Sequence, residues 1–233
     1  AGTSLSAADL GAGIHIKTGD SGGTVNGNYD TVVIEESGHS GIGILSGASS
    51  TGLIGFGDSG AALRGYIAYE HTNDRFEIAT AGTEAMRIDS TGAVTKPLQP
   101  AFNLIINSTI TISANTNTTV VFGTERFDTN GDFASNTFTA PVNGKYLLSS
   151  ALYLMDIDTD MNYVQMEINT SNRTYYTAFS TAGFDATMAY GNLTQAVVAD
   201  MDANDTAVVK IYFNAGSALR LDGSSYFSGA LLS

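Results

Sequence analysis

Residues 128–146 read DTNGDFASNTFTAPVNGKY. They gather Phe133, Phe138, Pro141, Gly144 and Tyr146 in a chain of 233 residues that has only three prolines. The run shows no helical period, and Asn130-Gly131 is a turn signal. The stretch therefore reads as turn and short strand, with Gly144 and Tyr146 opening a longer strand.

That strand, KYLLSSALYLM, is apolar on both faces. Tyr146, Leu148, Leu152 and Leu154 alternate with Leu147, Ala151, Tyr153 and Met155. Without helices to cover a sheet, both faces stay dry only if a second sheet covers one and another subunit the other. NYVQMEINT reads differently, with Val164, Met166 and Ile168 inward and Tyr163, Gln165 and Glu167 wet. AFNLII, TVVFG, TYYTAFS, NLTQAVVAD, TAVVKIYFN and SSYFSGALL supply further strands, with turn-rich gaps between them. So many strands with no helical period predict an all-β chain whose C-terminal part is a β-sandwich of the jelly-roll type.

Upstream the texture changes. Of the 26 glycines, 18 precede residue 100, and two of the three prolines bracket the change in KPLQP. Proline fixes φ and pushes its neighbour toward extended geometry, so KPLQP reads as a short connector. The expected organisation is a Gly-rich β-stem at 1–96, a linker at 97–100 and a sandwich at 101–233. In the stem, Ile67 and Tyr69 before a turn at 72–74, with Phe76 and Ile78 after it, predict a hairpin. DSTG at 89–92 is a second turn. Such short, Gly-broken strands bury little alone, and pairing between chains is the favoured solution.

Composition limits the chemistry. There is no cysteine, which removes disulfides and thiolate metal sites. The net charge of −13 is spread evenly, and no basic cluster exists to neutralise phosphates, so no nucleic-acid partner is expected. No apolar run approaches the roughly 20 residues that span a bilayer, so no membrane insertion is expected. The chain opens without Met and is read as a piece of a longer polypeptide.

PAF at 100–102, TVVFG, FTAPVNGKY, the segment QAVVADMDANDTAVVKIYF and the closing SSYFSGALL together resemble the globular C1q-like domain of the C1q and tumour-necrosis-factor superfamily, along all of 100–233. MDANDTAVV replaces that family's usual Lys-x-Gly-Asp turn. The resemblance implies a ten-stranded jelly roll assembling as a homotrimer. In the stem, GYIAYEHTNDRFEIATAGTEAMRIDSTGAV is similar to a segment of bacteriophage tail-fibre and appendage proteins. The two resemblances together imply a virion location, with an upstream fibre or virion protein as a partner.

Candidate sites are few. His15, His39 and His71 have no ligand or triad spacing and read as turn or surface residues. No histidine or cysteine follows residue 71, which leaves the sandwich without a triad or zinc site. Glu35, Glu36, Glu70, Glu77 and Glu84 are the stem carboxylates a polysaccharide depolymerase would have to use, and they read as structural. MDIDTDMN places Asp156, Asp158 and Asp160 at alternate positions, where three oxygens suit Ca²⁺. The EF-hand glycine and closing glutamate are missing, and a solvated acidic turn is the favoured reading. Asp185 is a second calcium candidate, since three copies of it on a symmetry axis would repel unless a cation intervened. Six Asn-x-Ser/Thr sequons, at Asn107, Asn117, Asn169, Asn172, Asn192 and Asn204, are read as composition.

Strand parity places the connections at 155–161, 182–191 and 214–223 at one end of the sandwich, away from residue 100. Those at 169–173 and 201–205 fall at the other end. The far end carries the receptor candidates Phe184, Asp185, Met188, Tyr190, Leu219 and Arg220. Aromatics among polar loop residues suit sugar rings, or else pack a trimer axis. The expected function is a non-catalytic adhesin binding a bacterial cell-surface receptor, a glycan ahead of an outer-membrane protein. Alternatives are a trimerisation and capping module, a secreted C1q-like ligand or a depolymerase.

Overall fold

The computed structural model describes residues 14–29 and 31–233, with side chains from Ile16 onward. The predicted stem therefore falls partly outside the described residues, as does the side chain of His15. The described residues form strands and no helix, and contacts divide the chain into two units, Ala1–Thr83 with Arg87–Ala93 and Glu84–Met86 with Val94–Ser233.

In the first unit β1 (Ile14–Lys17) pairs in parallel with β2 (Val32–Glu35). Then β3 (Thr51–Asp58), β4 (Ala61–Glu70), β5 (Arg75–Thr80), β6 (Thr83–Ile88) and β7 (Val94–Thr95) follow one another in a five-stranded sheet, of which β7 and Glu84–Met86 of β6 count with the second unit. The β4–β5 hairpin closes as read, with Glu70 opposite Arg75 and Asp74 at φ 47° in the turn. The DSTG turn is held by the Asp89 carboxylate, which accepts from the amides of Thr91 and Ala93, while Gly92 takes φ +86°. The apolar segment at 41–46 forms no strand.

Register sorts this sheet into unlike faces. Ile54, Ile67 and Ile78 lie side by side, with Tyr69 opposite Phe76 in the same set, whereas Ala68 sits between Leu53 and Glu77 on the other face. Ile54 is 48% exposed and Ile67 45%. Ala68 and Ala79 are the buried apolar residues among those described in this unit. The strands are amphipathic, and among the described residues the segment at 41–46 brings Ile42 and Ile44 to part of the apolar face, which stays largely exposed.

The second unit comprises β8 (Ala101–Ile105), β9 (Ile110–Ile112), β10 (Thr118–Thr119), β11 (Thr124–Asp128), β12 (Phe133–Ala134), β13 (Thr137–Thr139), β14 (Gly144–Ile157), β15 (Tyr163–Thr170), β16 (Thr174–Ser180), β17 (Met188–Met201), β18 (Thr206–Asn214), β19 (Leu219–Leu221) and β20 (Tyr226–Leu231). A six-stranded sheet runs β12-β13-β18-β15-β16, with β10 added on β18. A seven-stranded sheet runs β11-β8-β20-β14-β19-β9, with β17 on the other side of β14. The chain passes repeatedly between two antiparallel sheets, which is jelly-roll architecture. One apolar core lies between them, and most of its side chains are fully buried.

The stretch at 128–146 is built into that core. The Asp128 carboxylate accepts from the amides of Asp132 and Phe133 across the Asn-Gly turn. Ser135 and Asn136, at φ 51° and 63°, form the two-residue turn between β12 and β13 that positive φ at both positions favours in a hairpin. Phe138 stacks on Phe102 at 4.7 Å between centroids, and Phe227 meets Phe102 edge-on at 5.1 Å. Tyr146 is fully buried, and its hydroxyl donates to the Val142 carbonyl at 2.8 Å. Gly144 is required by close approach, because a Cβ there would lie 2.6 Å from the Ser233 carbonyl oxygen.

Two sequence expectations are corrected. TVVFG is not a strand: β10 ends at Thr119, and Val120 to Gly123 cross from the six-stranded sheet to β11 in the other. The crossing buries Val120 and Phe122, which explains their apolarity without a ladder. Glu167 is 5% exposed rather than wet, because Asn117 and Gln165 donate to its carboxylate.

Hydrogen bonds fix which connections share an end. The Pro100 carbonyl accepts from Leu231, Ala203 donates to the Asn143 side chain, and Asn172 donates to Asp205. Pro100 thus lies at the end that holds the connections after β13, β15 and β17.

Candidate functional site

At the opposite end three connections are tied together. They are 158–162 after β14, 181–187 after β16 and 215–218 after β18. Thr181 donates from its hydroxyl to the Met161 carbonyl at 2.5 Å and from its amide to Asn162. Asn162 donates to the Asn214 side chain at 2.9 Å. Asp158 accepts from the Thr159 amide at 2.6 Å and from the Ser217 hydroxyl at 3.2 Å. Asp160 accepts from the Gly216 amide at 2.5 Å and from Ser217 at 3.3 Å.

The connections are shorter than parity suggested, because the strands run further. Asp156 belongs to β14, Met188 and Tyr190 to β17, and Leu219 and Arg220 to β19. Pairing sets Met155 between Tyr190 and Arg220 in one row on three adjacent strands. Asp156 takes φ 60°, and it breaks the alternation so that Leu154 and Ile157 are both buried. A single residue in left-handed geometry, tolerable for Asp, re-aims one side chain as a bulge does. Its carboxylate thereby meets Arg220 in an ion pair. That guanidinium holds the Asp156 carboxyl below its usual range, and Asp156 in turn raises Arg220. Asp158 is also lowered, first by the Thr159 amide and then by Ser217.

The expected site residues separate on this geometry. Arg220 and Tyr190 are exposed, Tyr190 by 56%, and the Tyr190 ring packs 5.6 Å from Tyr153. Asp185 is exposed in the 181–187 connection, Phe184 is half-buried beside it, and Met188 is half-buried against the core. Leu219 is withdrawn from the receptor set: it is fully buried, since the LRL alternation turns both leucines into the sandwich and only Arg220 outward. The calcium triplet is corrected too. Asp156 faces Arg220 while Asp158 and Asp160 face Ser217, and among the described residues no three acidic or histidine side chains converge as metal ligands. The partners that sequence reasoning missed are Ser217, Asn214 and Tyr153; the serine and asparagine had only their places in turn-rich segments to mark them.

The same row opens onto the outer face of the seven-stranded sheet. Leu147 pairs with Val198 on one side and Ala230 on the other, and Ala151 lies between Thr194 and Tyr226. Leu147 is 39% exposed and Val198 54%, while the inward residues of β14 are fully buried. The strand is covered on one face, as its two apolar faces required, and uncovered on the other.

In the first unit Glu70 and Glu77 both pair with Arg75, at 2.6 and 2.7 Å, rather than opposing each other across a groove. His71 packs edge-on against Tyr69, and His39 is exposed.

No protein-family model matches the chain, and no curated protein matches it. Among solved structures, the globular domain of zebrafish complement 1qA protein is similar over 58% of this chain and 98% of its own, at 18% identity and a TM-score of 0.44. Murine APRIL at pH 8.0 is similar over 57% and 99%, at 15% identity and 0.43. Eiger TNF from S. frugiperda is similar over 57% and 91%, at 14% identity and 0.41.

Proposed function

We propose that this chain is the distal part of a bacteriophage tail fibre, a homotrimer that binds a bacterial cell-surface glycan without catalysis. The observation that carries the reading is the pair of uncovered apolar faces, Ile54-Ile67-Ile78 in the first unit and Leu147 with Val198 in the second. Faces of this kind are stable in water when copies of the chain cover one another. The stem motif, which forms the β4–β5 hairpin and β6, supports the fibre assignment by resemblance. In this reading the chain lies on the virion, joined to an upstream fibre or virion protein. Its far end, with Tyr190, Phe184, Asp185 and Arg220, meets the host, and three weak sites act together. Calcium enters only through copies of Asp185 brought together by the trimer.

Host-cell adsorption tests this directly. Alanine at Tyr190, Phe184 and Arg220 together should abolish adsorption of the intact trimer, and adding EDTA reports on Asp185. Unchanged adsorption by the triple variant would sink the tip assignment.

A second reading makes the jelly roll a trimerisation and capping module. It is favoured by the mutual pairing of Asp156 with Arg220 and of Asp158 and Asp160 with Ser217, which satisfies the charged groups internally. Under it, the triple alanine variant adsorbs normally but deletion of 101–233 prevents assembly.

A further inference from the structure

The outer face of the six-stranded sheet carries a cluster that the tip does not explain. Register places Tyr212, Gln165 and Ala178 in one row across β18, β15 and β16, and Lys210, Glu167 and Tyr176 in the next. Tyr163 adjoins the first row, its ring 5.7 Å from that of Tyr212 and tilted by 36°, so the two make one aromatic shelf. Tyr176, 61% exposed, stands beyond Glu167 on the neighbouring strand.

Glu167 is the unusual member. It lies in an outward row yet is 5% exposed. Asn117 Nδ2 at 3.1 Å and Gln165 Nε2 at 3.0 Å both donate to its Oε1. Among the described residues no donor is bonded to Oε2, which remains open to solvent. A carboxylate oxygen that solvent reaches is satisfied by water, and a ligand hydroxyl can take that water's place. Its anchored partner oxygen also fixes the direction in which Oε2 can accept. The cluster combines flat apolar rings with one oriented acceptor and, at Lys210, a nearby donor.

We propose that this face binds a neutral glycan, with the tyrosine rings lying against the apolar faces of pyranose rings and Glu167 Oε2 accepting from a sugar hydroxyl. A pyranose presents this pairing of C–H faces and equatorial hydroxyl donors. Neutrality follows from charge: the chain carries −13 overall, and the face holds Glu167 and Lys210 in balance, so an acidic polymer is repelled. The site is separate from the 158–162, 181–187 and 215–218 connections and stands whether or not those meet the host.

Saturation-transfer NMR of the full chain with the methyl glycosides of glucose, galactose, mannose, rhamnose and N-acetylglucosamine tests it. At least one glycoside should receive transfer from the unsubstituted protein. Glu167→Gln, which keeps shape and the Oε1 bonds, and Tyr176→Ala, at an exposed position, should each weaken it about fivefold or more. Tyr190→Ala should leave it unchanged. Dispersed proton spectra establish that each variant is folded. Absence of transfer to every glycoside overturns the inference, as does transfer unaltered in both platform variants. Transfer abolished by Tyr190→Ala alone would place the sugar at the far end, overturning this site while upholding the tip reading.

Discussion

The strands before residue 94 and those after it are both amphipathic and both antiparallel in their main sheets, yet they bury very different amounts. β14 packs Tyr146, Leu148, Leu152 and Leu154 at full burial against a second sheet. β4 carries Ile67 and Tyr69 in equally regular alternation, but among the described residues no second sheet faces them, and Ile67 remains 45% exposed. Alternation therefore creates a face without supplying its cover. The jelly roll contains its own cover, and its outer face at Leu147 and Val198 shows a smaller version of the deficit at Ile54, Ile67 and Ile78 on β3, β4 and β5.

Separating the two regions should give the largest effect. A fragment of 97–233 is expected to unfold cooperatively with dispersed spectra, while a fragment of 1–96 should show little protected amide exchange unless fused to a trimerising partner. Stable independent folding of 1–96 as a monomer would remove the contrast. Within the jelly roll, Phe138→Ala deletes a ring stacked on Phe102 and should cost about 3–5 kcal/mol by denaturant unfolding. Gly229→Ala should cost about 1–3 kcal/mol, because the added Cβ would lie 2.6 Å from Phe102 Cε1 and 2.9 Å from Leu148 Cδ2. An isolated monomer that tolerated both would show the core to be looser than its burial indicates.

The smallest expected effect is a pH response in the first unit. The Glu35 carboxyl is lowered from 4.5 to about 2, first by the Ser21 amide and then by Lys17. A depressed folded-state value means that its stabilising contribution is fully present above pH 4.5 and is lost as pH falls toward 2. Amide exchange at Ser21 and along β1 should accelerate across that window and stay flat above it. Glu35→Gln should weaken the response, leaving the part that Glu36, also lowered, first by Thr18, contributes.

Much of this fold was legible because its decisive positions are constrained locally. The Asn-Gly turn, the glycine that must clear Ser233 and the tyrosine that reaches back to Val142 occupy a stretch whose residue types admit few alternatives. Period-2 alternation likewise marked the inward face of β15, with Val164, Met166 and Ile168 buried as read. What escaped was decided by distant partners. Val120 and Phe122 are apolar for a crossing rather than a ladder, which no window of sequence separates from a strand. Glu167 looked wet until Asn117, 50 positions away, covered it. At the far end, the reading of 214–223 as loop overlooked a Leu-Arg-Leu alternation that already pointed Leu219 inward. The left-handed turn at Asp156, which converts a supposed calcium ligand into the partner of Arg220, has no local signature beyond the residue being Asp.

The central claim is that copies of this chain cover the faces it leaves bare. Sedimentation equilibrium of the full chain, alongside Ile67→Asp and Val198→Asp, tests it most directly. The unsubstituted protein should sediment at three times the chain mass, with Ile67→Asp and Val198→Asp each shifting mass toward the monomer. A full chain that stays monomeric at every concentration, with both faces open to water, would contradict the account.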